Sequence, residues 1–352
     1  MIADDKKIKA LREALEIYSP TDHEDEMGKF MLDLLSSMGE SPYRDDAGNV
    51  IAIRGSGPPV LWLHAHMDTV PGFIEVAMEG DKLIGRGASD DKAPLMAMAF
   101  AFLESSVVRG TLILTAVVQE EGDSGGTLFL INDKSLPHPS FIIIGEPTGI
   151  DRIVTKYRGS TRLRLEVRTR GGHASNPDFD SNAILIAMNA YRSLSARLGA
   201  GSRYEDYLAT PTMINCGDAG NAIPSKCELV IDVRIPPGKS CKELMHALRE
   251  LELGSGVRVS MGKCTEPVEV NVSNPASRAV ARSIISVLGR RPILARKWGT
   301  SDMNELLALT SNMVAYGPGD GSFSHSGEEY ININDYLNSI KVYKRTVEEL
   351  LA

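Results

Sequence analysis

The chain has 352 residues, 43% of them hydrophobic and 24% charged, the balance of a globular protein long enough for two domains or one large one. With 38 basic against 46 acidic side chains the net charge is −8, which argues against nucleic acid as the partner, because phosphate binding needs a basic surface. No apolar run reaches membrane-span length, and the acidic start Asp4-Asp5-Lys6-Lys7 is not a signal peptide, so no membrane partner and a cytoplasmic location are expected.

Residues 4–17 read as a helix with Ile8, Leu11 and Leu15 on one face. Thr21-x-x-Glu24 reads as a capping box opening a second helix with Met27, Phe30, Met31, Leu34 and Leu35. Short apolar runs follow at 50–53, 60–63, 111–118 and 141–144, each of strand length, with an Ala- and Met-rich helix over 93–108 between them. Strands alternating with helices imply an α/β sheet. The texture changes near Tyr157: residues 161–170 alternate apolar and charged, as in a sheet solvated on one face. A helix over 183–198, strands near 212–215 and 226–234, a helix over 241–251 and a strand over 257–261 complete a ferredoxin-like order. After Pro267 the first texture returns, with helices over 276–288, 301–309 and 336–351. The expected organisation is a mixed-sheet α/β catalytic domain in two pieces, 1–157 and 267–352, with an inserted ferredoxin-like α+β domain over 158–266. Cys216, Cys227, Cys241 and Cys264 have no Cys-x-x-Cys spacing, so free buried thiols are expected and none is assigned to a metal.

His66-Met67-Asp68 ends an apolar strand, and residues two apart share a face, so Asp68 can orient the His66 ring for metal. Asp90 lies in the turn Gly85-Arg86-Gly87-Ala88-Ser89-Asp90-Asp91-Lys92, where it could cap the following helix or offer one oxygen to each of two ions. Glu120 and Glu121 close one apolar strand and Glu146 closes the next; His325 follows a glycine-rich stretch near the C-terminus. His66, Asp90, Glu121, Glu146 and His325 together supply imidazole and carboxylate without thiolate, a donor set for zinc, cobalt or manganese. His64 reads as packing behind His66, and His23, His138 and His246 receive no function.

In this order, these motifs resemble the zinc-dependent aminoacylase and carboxypeptidase family that includes acetylornithine deacetylase and succinyl-diaminopimelate desuccinylase. The resemblance spans nearly the whole chain. It implies a zinc-exopeptidase-like fold with a dimerisation lid and two divalent ions per subunit, zinc first and cobalt as the alternative. His66 and Glu146 would hold one ion, Glu121 and His325 the other, with Asp90 bridging and a cis peptide after it. Glu120 would be the general base, Asp68 the partner of His66, and His173, in Gly171-Gly172-His173, an oxyanion donor to the neighbouring subunit of a homodimer. Asn221, Arg234, Thr300 and Ser301 match substrate-contact positions.

Lys297–Asn304 and Tyr316–Asp320 look most like the deacylases of lysine and ornithine biosynthesis. The implied activity is release of lysine or ornithine from an Nα-blocked precursor, either a small acyl-amino acid or an acidic amino-group carrier protein. Dipeptidase or general aminoacylase activity, and a catalytically silent metal- or ligand-binding protein, are the competing readings. Arg162, Arg164, Arg168 and Arg170 share a strand face that is either a solvated surface or a dock for that carrier.

Overall fold

The computed structural model describes residues 2–176, 178–254 and 256–352. The chain forms two compact units: the first holds residues up to Thr155, Val270–Arg296 and Ser301–Ala352, the second Lys156–Glu269 and Lys297–Thr300.

The first unit is an α/β structure on a mixed eight-stranded sheet, ordered Tyr43–Arg44, Val50–Ser56, Gly110–Val117, Val60–His66, Phe141–Gly145, Met313–Tyr316, Arg152–Val154 and Ile293–Ala295. The four strands from Gly110–Val117 to Met313–Tyr316 run parallel, so their C-terminal ends meet along one edge. Pleating sends Leu61, Leu63 and Ala65 into the main core and Trp62, His64 and His66 to the opposite face. Over that core lies the helix Lys92–Glu104, packed on the sheet, on Asp4–Glu16 and on Ile333–Leu350. Its residues 92–102 are all buried, and each large apolar side chain contributes roughly 1.5–3 kcal/mol of burial. The helix therefore fixes the turn before it, which carries Asp90. It ends at Glu104, short of the expected Val108, where Ser105 turns extended and its hydroxyl donates to Ala101 O.

The expected capping box at Thr21 and Glu24 does not form. The helix Asp25–Ser37 has no side-chain cap. Instead the Thr21 hydroxyl donates to Asp68 Oδ2 at 2.9 Å, and Glu24 Oε1 accepts the Gln119 N–H at 3.0 Å. Both residues brace site loops that lie distant in sequence, which local spacing does not reveal.

The second unit has a four-stranded antiparallel sheet ordered Leu208–Cys216, Lys226–Ile235, Gly159–Arg168 and Val257–Thr265, with helices Ala183–Leu198 and Cys241–Arg249 packed together and against its strands. This is the ferredoxin-like arrangement. Asn182 caps the first helix by accepting from Ile184 and Leu185 N–H, and Ser240 with Glu243 forms a capping box on the second. Arg162, Arg164 and Arg168 point to the exposed face. Arg164 pairs with Glu228, and Arg162 lies opposite Asp232. Arg170 falls beyond the strand and pairs with Asp178.

The expectation of free thiols is overturned: Cys216 bonds Cys227 and Cys241 bonds Cys264. Sheet register brings the first pair directly opposite on neighbouring strands, and helix packing brings the second pair together, across sequence separations of 11 and 23. Disulfides occur in oxidising compartments and also in intracellular proteins of hyperthermophiles, so the cysteines no longer argue for a reducing cytoplasm. Each loop closure contributes on the order of 3 kcal/mol. A thiol titration of the denatured protein is expected to find none before reduction and all four after it, and reduction should lower the melting temperature. Four free thiols in unreduced protein would refute both pairings. No helix of the described residues is long and apolar enough to cross a membrane.

Candidate metal centre

The parallel strand ends of the first unit carry the site. His66 is the last residue of Val60–His66, Gln119-Glu120-Glu121 follows Gly110–Val117, Glu146 follows Phe141–Gly145, and the segment leading to His325 leaves Met313–Tyr316. In an α/β sheet such an edge is where ligands bind, because all the loops leaving parallel strands meet there.

Asp90 stands between the two histidines. Its Oδ1 lies 3.2 Å from His66 Nε2 and its Oδ2 3.6 Å from His325 Nε2. His325 Nε2 is also 2.7 Å from Glu121 Oε1. One donor atom each from His66, Asp90 and Glu121 fall within 4.8 Å of one another, as metal ligands do. Glu120 Oε2 is 3.9 Å from His66 Nε2. Glu146 is buried and close enough to feel the charge of Glu120 and Asp91.

The backbone shapes this cluster. The Asp90-Asp91 peptide is cis, as the resemblance implied, and Asp90 does not cap the helix, whose N-cap residue is Asp91. Gly87 has φ +88°, and a Cβ there would lie 2.8 Å from Lys92 Cδ, so the turn closes over the lysine stem only with glycine. Gln119 and His325 adopt left-handed φ of 63° and 65°, a costly conformation for side chains of their size and one that gathers at functional sites.

His66 Nδ1 lies 2.9 Å from the Asp68 carbonyl and 3.4 Å from its Oδ1. A carbonyl only accepts, so Nδ1 carries a proton, and Nε2, facing the Asp90 carboxylate, is the ring atom that a metal would take. Asp68 thus orients His66 mainly through its main chain. Its carboxylate accepts the Glu120 and Glu121 N–H groups, each at 3.0 Å, and so anchors the two acids.

The electrostatics are those of a cation seat. Burial, then the neighbouring Asp302, Glu146 and Glu121, push the Glu120 carboxyl well above its ordinary range against the pull of His66. Burial likewise raises Asp91, helped by Glu146 and Asp90. Burial opposes charge on His66, but Asp68, Asp90 and Glu120 outweigh it and raise the imidazole; the Glu121 hydrogen bond raises His325. Two cations of the same turn face elsewhere: Lys92 Nζ donates to Ala14 O and Ile17 O, and Arg86 pairs with Glu329. Crowded carboxylates beside two imidazoles, with no thiolate, fit divalent ions of the zinc type.

The other expected residues are divided between the two units. His173, exposed in the second unit, sits beside Asn221, whose carbonyl accepts the Ala174 N–H. The Ser175 N–H donates to His173 Nδ1 at 3.2 Å, which leaves the proton on Nε2. Arg234 is engaged by Asp232 at 2.7 Å. Thr300 belongs to the second unit and Ser301 to the first, where Ser301 caps the helix Asp302–Leu306 in a box with Asn304. Sequence reasoning missed three buried groups behind the site. Asp302 lies 3.1 Å from His64 Nε2 and accepts from Thr127, and Arg86 and Glu329 pair at 2.9 Å. Local sequence carries little signal for them, because His64 and Asp302, and Arg86 and Glu329, lie more than 200 residues apart.

Residues 62–349 match the model of peptidase family M20/M25/M40. The chain is 46% identical to a Pyrobaculum aerophilum protein provisionally designated a LysW-lysine/LysW-ornithine hydrolase, over 97% of this chain and 96% of that one. It is 32% identical to the LysW-lysine/LysW-ornithine hydrolase of Sulfurisphaera tokodaii, over 98% and 96%. Among solved structures, aminopeptidase PepT from Bacillus cereus superposes with a TM-score of 0.84 at 18% identity, covering both chains entirely. The M20 metallo-carboxypeptidase Sso-CP2 from Sulfolobus solfataricus gives 0.80 at 18% identity over 99% of each chain. The fold, the carboxylate-imidazole seat and these matches agree: the chain is a metal-dependent hydrolase belonging to peptidase family M20/M25/M40.

Proposed function

We propose that this chain is a two-metal amidohydrolase that releases lysine or ornithine from an Nα-blocked precursor, the carrier-linked form above all. The observation that carries the metal reading is Asp90, whose two carboxylate oxygens face different imidazoles. His66 and Glu146 would hold one ion and Glu121 and His325 the other, with zinc or cobalt both suited to these donors. The relatives designated LysW-lysine/LysW-ornithine hydrolases support the carrier-linked substrate.

The ions, when bound, polarise the amide carbonyl and acidify the attacking water. Glu120 takes the water proton on its carboxylate and returns it to the departing amine nitrogen. Asp68 holds the His66 ring and the Glu120 and Glu121 peptides in register. His173 donates from Nε2 to the developing oxyanion, reaching the site of a second copy in a homodimer formed through the inserted unit. Arg234, Asn221, Thr300 and Ser301 are the proposed substrate contacts; Arg234 would exchange Asp232 for the substrate carboxylate. The reading places the enzyme in the cytoplasm.

Arg162, Arg164 and Arg168 on the exposed sheet face are the proposed dock for an acidic carrier, although Glu228 and Asp232 temper their charge. Metal-reconstituted protein should be assayed on carrier-linked lysine, Nα-acetyl-lysine, Nα-acetyl-ornithine and a dipeptide over a salt range. Carrier-linked turnover should be fastest and should fall with salt while small-substrate turnover holds. Fastest cleavage of the dipeptide would establish the dipeptidase reading instead. Equal salt sensitivity would remove the dock, and no turnover at all would favour a silent binding protein.

A further inference from the structure

We propose that the buried pair Arg86–Glu329 is a positioning device that holds Asp90 in the metal seat, so that ions are gripped tightly only while the pair is intact. The proposal rests on the two-metal reading above.

Glu329 is 1% exposed and Arg86 7%. Glu329 Oε1 accepts two consecutive main-chain groups, Ser89 N–H at 3.0 Å and Asp90 N–H at 2.8 Å. Its Oε2 accepts from Arg86 Nη1 at 2.9 Å. Arg86 Nε in turn donates to Gly72 O at 2.8 Å, and the Glu329 carbonyl accepts the Gly85 N–H at 3.2 Å. One ion pair therefore ties together the loop after His66, the turn ending in Asp90 and the segment after His325. Those are three of the stretches that supply the proposed ligands.

A buried ion pair adds little net stability compared with a well-packed apolar pair, so stability alone is a weak reason for it. What an ionised carboxylate does that an apolar side chain does not is grip two peptide N–H groups with charge-assisted bonds. Those two peptides immediately precede the carboxylate that faces both imidazoles. A small rotation of that turn would move Asp90 off one histidine or the other, and groups behind a metal site set the aim of its ligands.

The test is a zinc titration of metal-stripped protein against a chromogenic chelator, with circular dichroism and the melting temperature of each metal-free variant as the fold control. Glu329→Ala is expected to lose about 10- to 100-fold in affinity for at least one ion. Glu329→Gln keeps a carbonyl acceptor for the two N–H groups and should fall between it and the wild type. Arg86→Gln should resemble Glu329→Gln. For a cleaved amide, kcat should fall with KM nearly unchanged, and excess zinc should restore part of it. If Glu329→Ala does not fold, the two glutamine variants carry the test. Zinc affinity within twofold of wild type in folded Glu329→Gln and Arg86→Gln overturns the proposal, whatever their melting temperatures. Failure of the substrate reading is distinguishable, because it appears as an inactive wild type whose zinc titration is still readable.

Discussion

Replacing Glu120 by glutamine is expected to lower kcat by roughly 10²- to 10⁴-fold while the ions stay in place. The shape of the side chain survives, so binding is kept; its ability to take and return a proton does not. Glu120 stands beside His66 at 3.9 Å but outside the trio of His66, Asp90 and Glu121 that approaches ligand geometry. Its main-chain N–H is anchored on Asp68, so the substitution leaves the loop held as before. Metal analysis of the purified variant against kcat distinguishes the roles. An ion lost with the carboxylate would make Glu120 a ligand, and an unchanged kcat would end its part as base.

Asp90→Ala is expected to abolish measurable turnover and to leave the protein with one ion or none per subunit. Asp90 directs one oxygen toward each imidazole, so its removal is expected to damage both proposed seats together. His325→Ala, by contrast, should empty one seat and spare the other. Loss of bound metal also removes a linkage stabilisation, about 4 kcal/mol for zinc at 1,000 times its dissociation constant. Atomic absorption on desalted protein, together with melting curves with and without zinc, measures both effects. An Asp90→Ala protein that still retains two ions would show that the shared carboxylate is not the link between them.

Much of the site was legible in the sequence because the fold puts chemistry at strand ends. His66, Glu120, Glu121 and Glu146 each follow an apolar run whose length marks a strand, and the run itself says which edge they share. Met313–Tyr316 was not read as a strand: it is short, and only its pairing with Phe141–Gly145 makes it part of the parallel set. Its absence left His325, read into the donor set from its residue type and glycine-rich context, without a strand end to position it; the structure places it 2.7 Å from Glu121. The ferredoxin-like order of the second unit was readable from the succession of strands and helices that begins with the alternating run over 161–170. The disulfides were not, because register is a property of two strands and the sequence displays one at a time. Thr21 and Glu24 show the same limit from the other side. Their spacing fits a local cap, yet both side chains form bonds to residues 47 and 95 positions away. Arg86 and Glu329 are charges that an apolar interior tolerates only in company, and that company is fixed by tertiary packing.

The seat is assembled from stretches that begin at His66 and end at His325, most of the length of the chain. During synthesis the first donors emerge long before the last, and a ribosome-bound fragment ending before His325 holds only part of the cage. On the proposed ligand set, full loading with metal would require these sequence-distant segments to have come together, so it would report on long-range folding of the hydrolase.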